Sequence, residues 1–113
     1  MLAKTYRITS DGDFKKIFSS GRNFGGDVLM LKVMKTSRPV ARFAFVVSTK
    51  ISKRATVRNL IKRRMRAVVQ KNISLFIVGV DVVVMAKVKA VGMSYVELEK
   101  GMMQMFGKVG LLR

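Results

Sequence analysis

The sequence predicts a single α/β domain over residues 1–113, in which three helices pack on a mixed sheet of about four strands. Three observations lead to this fold class. A length of 113 residues suits one domain. Half of the residues are apolar, which is enough to form a buried core. The apolar residues also alternate between helical spacing and strand-like runs, which gives the order helix, three strands, helix, strand, helix.

The first helix is predicted over residues 10–21, because Ser10 can act as its N-cap and two acidic residues follow in the first turn. Phe14, Ile17 and Phe18 share one face of this helix. That face is either core or a stacking surface for unpaired bases, and spacing alone leaves both interpretations open.

Two strands are expected next, over Asp27–Lys35 and Ala41–Ser48, joined by a turn that contains Pro39. Their order and the short turn predict an antiparallel hairpin. Phe24, beside two glycines, is expected to lie in a loop or at a strand entry.

A basic loop and a long amphipathic helix occupy the middle of the chain. The helix is predicted from Thr56 to Asn72, with an apolar arc and a polar face that carries basic and amide groups but no carboxylate. The apolar arc contains Val57, Ile61, Met65 and Val68, and the polar face contains Asn59, Lys62, Arg63, Arg66 and Gln70.

The last two elements are a buried strand over Asp81–Lys87 and a helix opened by Ser94. The strand is a continuous apolar run. Ser94 and Glu97 have the spacing of a capping box. The core stripe of the helix is expected to contain Leu98, Met102, Met105 and Phe106.

The charge of the chain points to an anionic partner. There are 23 Lys and Arg residues against 6 Asp and Glu, a net charge of +17. No acidic residue lies between Val28 and Val80, whereas 13 basic residues do, and nine of those fall between Lys50 and Lys71. A helix that is merely solvated mixes charges of both signs, so this distribution argues against a simple solvated face. The net charge points to nucleic acid as the first candidate partner and to an anionic membrane surface as the second.

Composition also excludes several kinds of active site. The chain has no Cys and no His, its six acidic residues are scattered, and it has no glycine-rich phosphate-binding motif. We therefore expect no catalytic residue and no metal site in the protein itself. Residues 1–7 lack the apolar run of a signal peptide, so a cytoplasmic location is expected.

RNA is the favoured partner of the basic helix. A membrane-surface helix would need large apolar anchors, and a DNA-reading helix would need a second helix beside it. RNA can instead be bound through shape, phosphates and stacking. A ribosome-associated RNA-binding protein is the main alternative.

The sequence resembles the bacterial ribonuclease P protein family. The resemblance runs from about Tyr6 to Phe106 and is most specific at the Arg-Asn motif of the basic helix. The matching segments are Asp13–Phe18 followed by Gly21, Phe45–Lys50, Ala55–Arg63, Asp81–Val84 and the helix from Ser94 to Phe106.

This resemblance implies a small α/β sandwich with a left-handed β-α-β crossover around the basic helix. It implies that a catalytic RNA, with Mg²⁺ held mainly by that RNA, removes the 5′ leader of precursor tRNA. The protein would bind the RNA subunit through the basic helix and hold the leader in a cleft between that helix and the sheet. No membrane and no second protein copy are required.

Ten residues are the predicted site. Phe14, the preferred candidate, and Phe18 are assigned to the leader cleft. Two departures from the family pattern are expected to alter the contacts: Leu60 replaces an Arg, whose role could pass to Arg64, and Leu31 replaces an aromatic cleft residue. The predicted RNA-binding residues are Lys50, Lys53, Arg54, Arg58, Asn59, Lys62, Arg63 and Arg66.

Overall fold

A four-stranded mixed sheet with three α-helices forms the structure, a computed structural model that describes residues 2–113. Within that range, no helix is both long and apolar enough to cross a membrane. The helices are α1 (Asp11–Ser20), α2 (Ala55–Lys71) and α3 (Tyr95–Lys108), and the strands are β1 (Arg22–Gly25), β2 (Leu29–Lys35), β3 (Ala41–Val46) and β4 (Val80–Ala86).

The predicted hairpin is wrong, because β2 and β3 are not neighbours. The strand order is β1-β2-β4-β3, with β4 antiparallel to β2 and parallel to β3. β4 is the most apolar strand and is buried on both faces, which favours a central position. Phe24, expected in a loop or at a strand entry, lies within the edge strand β1.

The parallel pair β3 and β4 requires a crossover connection, and α2 provides it. The element order and the mixed sheet agree with the prediction. The left-handed sense of the crossover stays a prediction.

The sheet has a different helical cover on each face. On one face, α2 and α3 pack on the alternate residues of β2, β3 and β4. On the other face, α1 packs through Ile17 on Ala44 and Val83. The side chains of the first face include Leu29, Leu31, Phe43, Val82, Val84, Ile61, Met65, Val68, Leu98, Met102 and Phe106, all of them buried.

Side-chain caps begin α1 and α3 as predicted. The Ser10 hydroxyl accepts a hydrogen bond from the Asp13 backbone N–H at 3.4 Å. Ser94 and Glu97 form a complete capping box, with bonds of 3.2 and 2.9 Å. The Ser94 backbone N–H, and then its hydroxyl, lower the pKa of Glu97 below its usual range.

An ion-pair network fastens α1 to the sheet. Arg42 on β3 donates two hydrogen bonds, of 2.9 and 2.7 Å, to the buried carboxylate of Asp81 on β4. The same guanidinium donates to Asp13 of α1 at 3.2 Å. These carboxylates raise the pKa of Arg42, and the Asp81 hydrogen bond is the largest cause. Arg42 therefore keeps its charge, and the Asp81 charge is fully paired.

Candidate nucleic-acid interface

The predicted RNA-binding residues form one continuous stretch of the structure, which we call the basic surface. It consists of the loop after β3 and the first three turns of α2, with seven cationic side chains and the amide of Asn59. Among residues 2–113, none of these seven cations forms an ion pair with a carboxylate. The basic surface comprises Lys50, Lys53, Arg54, Arg58, Asn59, Lys62, Arg63 and Arg66.

The amphipathic pattern of α2 leaves its basic side open. Ile61, Met65 and Val68 are buried, as the sequence predicts, and Val69 is buried with them. These side chains pack directly on the sheet. The cleft expected between α2 and the sheet is therefore wrong, since this space is filled by core side chains.

Two arginines of α2 make hydrogen bonds within the protein. Arg58 donates to the carbonyl of Ser52 at 2.9 Å and so holds the basic loop against the helix. Arg64 donates to the carbonyl of Met93 at 2.6 Å and ties α2 to the segment before α3. Because this bond is directed towards the α3 side, Arg64 is poorly placed to replace the charge that Leu60 lacks. Leu60 itself is exposed.

The start of α2 presents open backbone donors. The N-cap position is Arg54, which makes no side-chain capping bond. The unsatisfied N–H groups of a first turn carry a partial positive charge. Lys53 and Arg54 are both exposed there. This end of α2 is thus electrostatically suited to a phosphate.

The α1 side of the sheet is only partly covered, which leaves what we call the open row. The strand register places Gly25, Met30, Met85 and Val46 side by side across all four strands. Met30 is 40% exposed, and Met85 and Val46 are half-buried. β3 ends at Val46, so the open row lies at the end of the sheet from which the basic loop continues.

The two predicted aromatic residues border this face and differ in burial. Phe14 is half-buried and packs on the small core beneath α1. Phe18, one turn later, is 45% exposed. Both lie across the sheet from α2. The start of α1 is a poor phosphate site, because Asp11 and Asp13 occupy its first turn.

Lys32 is a candidate contact residue that our sequence reasoning missed. Its ammonium donates to the carbonyl of Phe18 at 2.9 Å and lies 5.2 Å from the centre of the Phe18 ring. Leu31, the expected cleft position, is fully buried on the opposite face. The alternation of side chains along β2 could have indicated Lys32. Leu29 and Leu31 face the core, so Lys32, which follows Leu31, must face α1.

The fold and the carboxylate-free basic surface together define a small basic α/β protein of the nucleic-acid-binding class. Comparison with known proteins gives the family. The family model described as ribonuclease P matches residues 2–110, and the chain therefore belongs to this family. It is thus an RNA-binding protein subunit of ribonuclease P, an endoribonuclease of tRNA 5′ maturation.

Curated relatives support this assignment over nearly the whole chain. The ribonuclease P protein component of a Synechocystis species is 31% identical over 112 residues, which cover 98% of this chain and 90% of the relative. The component of Clostridium kluyveri is 32% identical over 110 residues, which cover 96% of this chain and 97% of the relative. The ribosome-associated alternative is not favoured by these relatives.

Solved structures show the same fold. The RNase P protein of Staphylococcus aureus superposes with a TM-score of 0.87 at 22% identity, covering 97% of this chain and all of that one. The RNase P protein of Thermotoga maritima superposes with a TM-score of 0.82 at 23% identity, covering 90% of this chain and 96% of that one.

Proposed function

We propose that the basic surface binds the catalytic RNA, while the open row, Phe18 and Lys32 hold the single-stranded 5′ leader of precursor tRNA. The observation that carries this proposal is the basic surface itself: seven cations without a carboxylate partner within residues 2–113. Such a surface is costly for the isolated protein and is neutralised by phosphates.

The α1 side of the sheet has the chemistry of a single-strand site. Phe18 offers an exposed ring for base stacking, and the methionines of the open row offer an apolar floor. Lys32 can contact a phosphate of a strand that stacks on Phe18. The basic loop continues from the same end of the sheet, so one RNA strand could contact both regions.

Catalysis is assigned to the RNA subunit, together with its Mg²⁺ ions. Within residues 2–113, no three Asp or Glu residues lie together as metal ligands would. Three of the carboxylates are already engaged: Asp13 and Asp81 bind Arg42, and Glu99 binds Lys71 at 3.2 Å. Hydrogen bonds from Asn72 and then Lys71 lower the pKa of Glu99. We further infer that the protein acts in the cytoplasm.

Reconstitution with a catalytic ribonuclease P RNA tests the proposed function. Adding the protein should lower the magnesium concentration needed to cleave precursor tRNA, because its cations help to assemble RNA that magnesium would otherwise bring together. The matched control is the binding of leaderless tRNA, whose affinity should increase less when the protein is added. A magnesium requirement that does not change would contradict the proposal and favour a purely structural RNA-binding protein.

No single Asp or Glu to Ala variant should abolish cleavage at saturating magnesium and RNA, provided that the variant folds. The reason is that the carboxylates serve ion pairs and caps rather than a reacting atom. Single-turnover cleavage rates of folded variants provide the measurement. An inactive variant with a native circular dichroism spectrum would refute the assignment of chemistry to the RNA.

Lys62→Ala and Arg66→Ala should each weaken RNA binding to a similar extent across sequences. The magnitude of the salt dependence, d log K/d log [salt], should fall by about 0.7–0.9 for each lost phosphate contact. Stability should change by less than about 0.5 kcal/mol, since neither residue is part of the buried stripe of α2. Lys100→Ala, an exposed charge on α3, is the matched control and should leave the salt dependence unchanged.

A further inference from the structure

A groove of about 940 Å³ runs between β1 and α3, on the sheet face opposite α1. Arg22 and Phe24 alternate on β1 so that both side chains lie on the α3 side of this edge strand. Across the groove, α3 contributes Gln104 and Lys108. The groove is therefore separate from Phe18, which lies on the other face, and from the basic surface, which begins beyond β3 at the opposite edge.

The groove contains polar as well as apolar residues at a place where a helix usually packs tightly on a sheet. Its α3 side is formed by Gly101, Gln104, Met105 and Lys108, which have the i, i+3, i+4, i+7 spacing of one helix face. Packing accounts for two of these residues, because Val28 lies against Gly101 and Met105 lies against Gly26. Gln104 and Lys108 are exposed, and core packing does not explain these two polar side chains.

The charge of the groove favours an anionic ligand. Arg22, Lys89 and Lys108 line it against one carboxylate, that of Asp27. The Lys89–Asp27 distance is 3.8 Å and both side chains are well exposed, so this pair is weak. Within residues 2–113, neither Arg22 nor Lys108 forms an ion pair.

A planar stacking element distinguishes the groove from a simple anion site. The guanidinium of Arg22 lies 5.7 Å from the centre of the Phe24 ring. Arginine planes and aromatic rings are the groups on which unpaired bases stack. The amide of Gln104 lines the same groove and can donate to or accept from a base edge, whereas the side chain of Asn23, which pairs with Lys32, lies on the other face of the sheet. An acidic peptide would need the cations but not these planar and amide groups.

We propose that this groove binds one unpaired nucleotide of an RNA strand, with the base against Phe24 and Arg22 and the phosphate against Lys108 or Lys89. The inference goes beyond the proposed function, because it adds an RNA contact on the other side of the sheet from the leader. It depends on the membership of the chain in an RNA-binding family and not on the role of Phe18.

The first test uses the full chain carrying Phe18→Ala, so that the leader face contributes little, and a uridine hexanucleotide with one photoreactive base. Crosslinks should map to residues 22–26 and to the neighbourhood of Gln104. Phe24→Leu should reduce hexanucleotide affinity by about 5- to 150-fold, the loss of one stacked base. Crosslinks only within the basic surface would overturn the inference.

The second test separates a built site from diffuse charge. Arg22→Gln and Lys108→Ala should each lower affinity for the hexanucleotide and for the catalytic RNA, whereas Lys100→Ala on the same helix should not. Arg22→Gln keeps a long polar side chain at an exposed position, so it guards against misinterpretation if Phe24→Leu disturbs packing. Equal effects of Lys108→Ala and Lys100→Ala would refute the site.

The reconstituted enzyme distinguishes failure of this inference from failure of the proposed function. Arg22→Gln should leave the ratio of affinities for leader-bearing and leaderless tRNA unchanged, because the groove lies away from the leader face. A changed ratio would contradict a separate site. Polyglutamate serves as a competitor for the groove. If it displaced the hexanucleotide as effectively as unlabelled RNA does, the inference would be overturned in favour of an acidic protein partner.

Discussion

Phe18→Ala is expected to weaken binding of leader-bearing precursor tRNA by about 5- to 150-fold, equivalent to about 1–3 kcal/mol for one stacked base. Binding of mature tRNA, which has no leader, should be nearly unchanged. The ring is 45% exposed, so its removal leaves little internal cavity. The stability cost should therefore fall well below the about 3–5 kcal/mol typical of a buried Phe.

Paired titrations of the two RNAs with the reconstituted enzyme measure this effect. Phe18→Leu should retain packing and still lose most of the stacking. Phe106→Leu is the control, because Phe106 is fully buried and its variant should affect both RNAs equally. Equal losses for the two RNAs in Phe18→Ala, in proportion to lost stability, would return Phe18 to a purely structural role.

A variant of Lys32 tests the phosphate contact on the same face of the sheet. Stacking carries no net charge, so Phe18→Ala should leave the salt dependence of leader binding intact. Lys32→Met keeps the length of the side chain and removes its charge, and the salt dependence should then decrease. A comparison of the two variants separates base contacts from phosphate contacts on the same face of the sheet.

Arg42→Ala should destabilise the fold by about 3–5 kcal/mol, because it leaves a buried charge without a partner. The carboxylate of Asp81 is 1% exposed and receives both of its short hydrogen bonds from Arg42. The same substitution releases Asp13, so the first turn of α1 loses its bond to the sheet. Urea unfolding of the free protein measures the loss.

Two further variants show whether the buried pair is the cause. Arg42→Leu combined with Asp81→Leu removes both charges and should recover much of the stability. Asp13→Asn should cost far less than Arg42→Ala, since Asp13 is more exposed and accepts a single bond of 3.2 Å. If Arg42→Ala and Asp13→Asn were equally destabilising, the attachment of α1 rather than the buried charge would be responsible.

Features that depend on neighbouring residues could be predicted from the sequence. The N-caps of α1 and α3 and the buried stripe of α2 are set by residues one to four positions apart, and the structure contains them. Strand pairing depends on distant segments. The apolar run of β4 indicated a buried strand, but nothing local indicated that it would separate β2 from β3.

The site was predictable to a similar degree. The basic surface followed from composition, since 53 consecutive residues from Val28 to Val80 lack an acid. The expectation that position 31, where relatives have an aromatic cleft residue, borders the cleft is wrong for this chain, because the direction in which a strand residue faces depends on which helix covers which side. The i, i+4 spacing of Phe14 and Phe18 also could not reveal that α1 packs through the first ring more than the second.

The spacing of like charges along α2 has a consequence for the assembled particle. Arg58, Lys62 and Arg66 follow one another at intervals of four residues, and each such like-charged pair opposes helix formation by about 0.2–0.5 kcal/mol. Added salt should therefore increase the folding stability of the free protein while it lowers the affinity of the protein for RNA. The RNA phosphates supply the negative charge that this part of the chain lacks. The repulsion between the cations of α2 is therefore relieved only in the ribonucleoprotein.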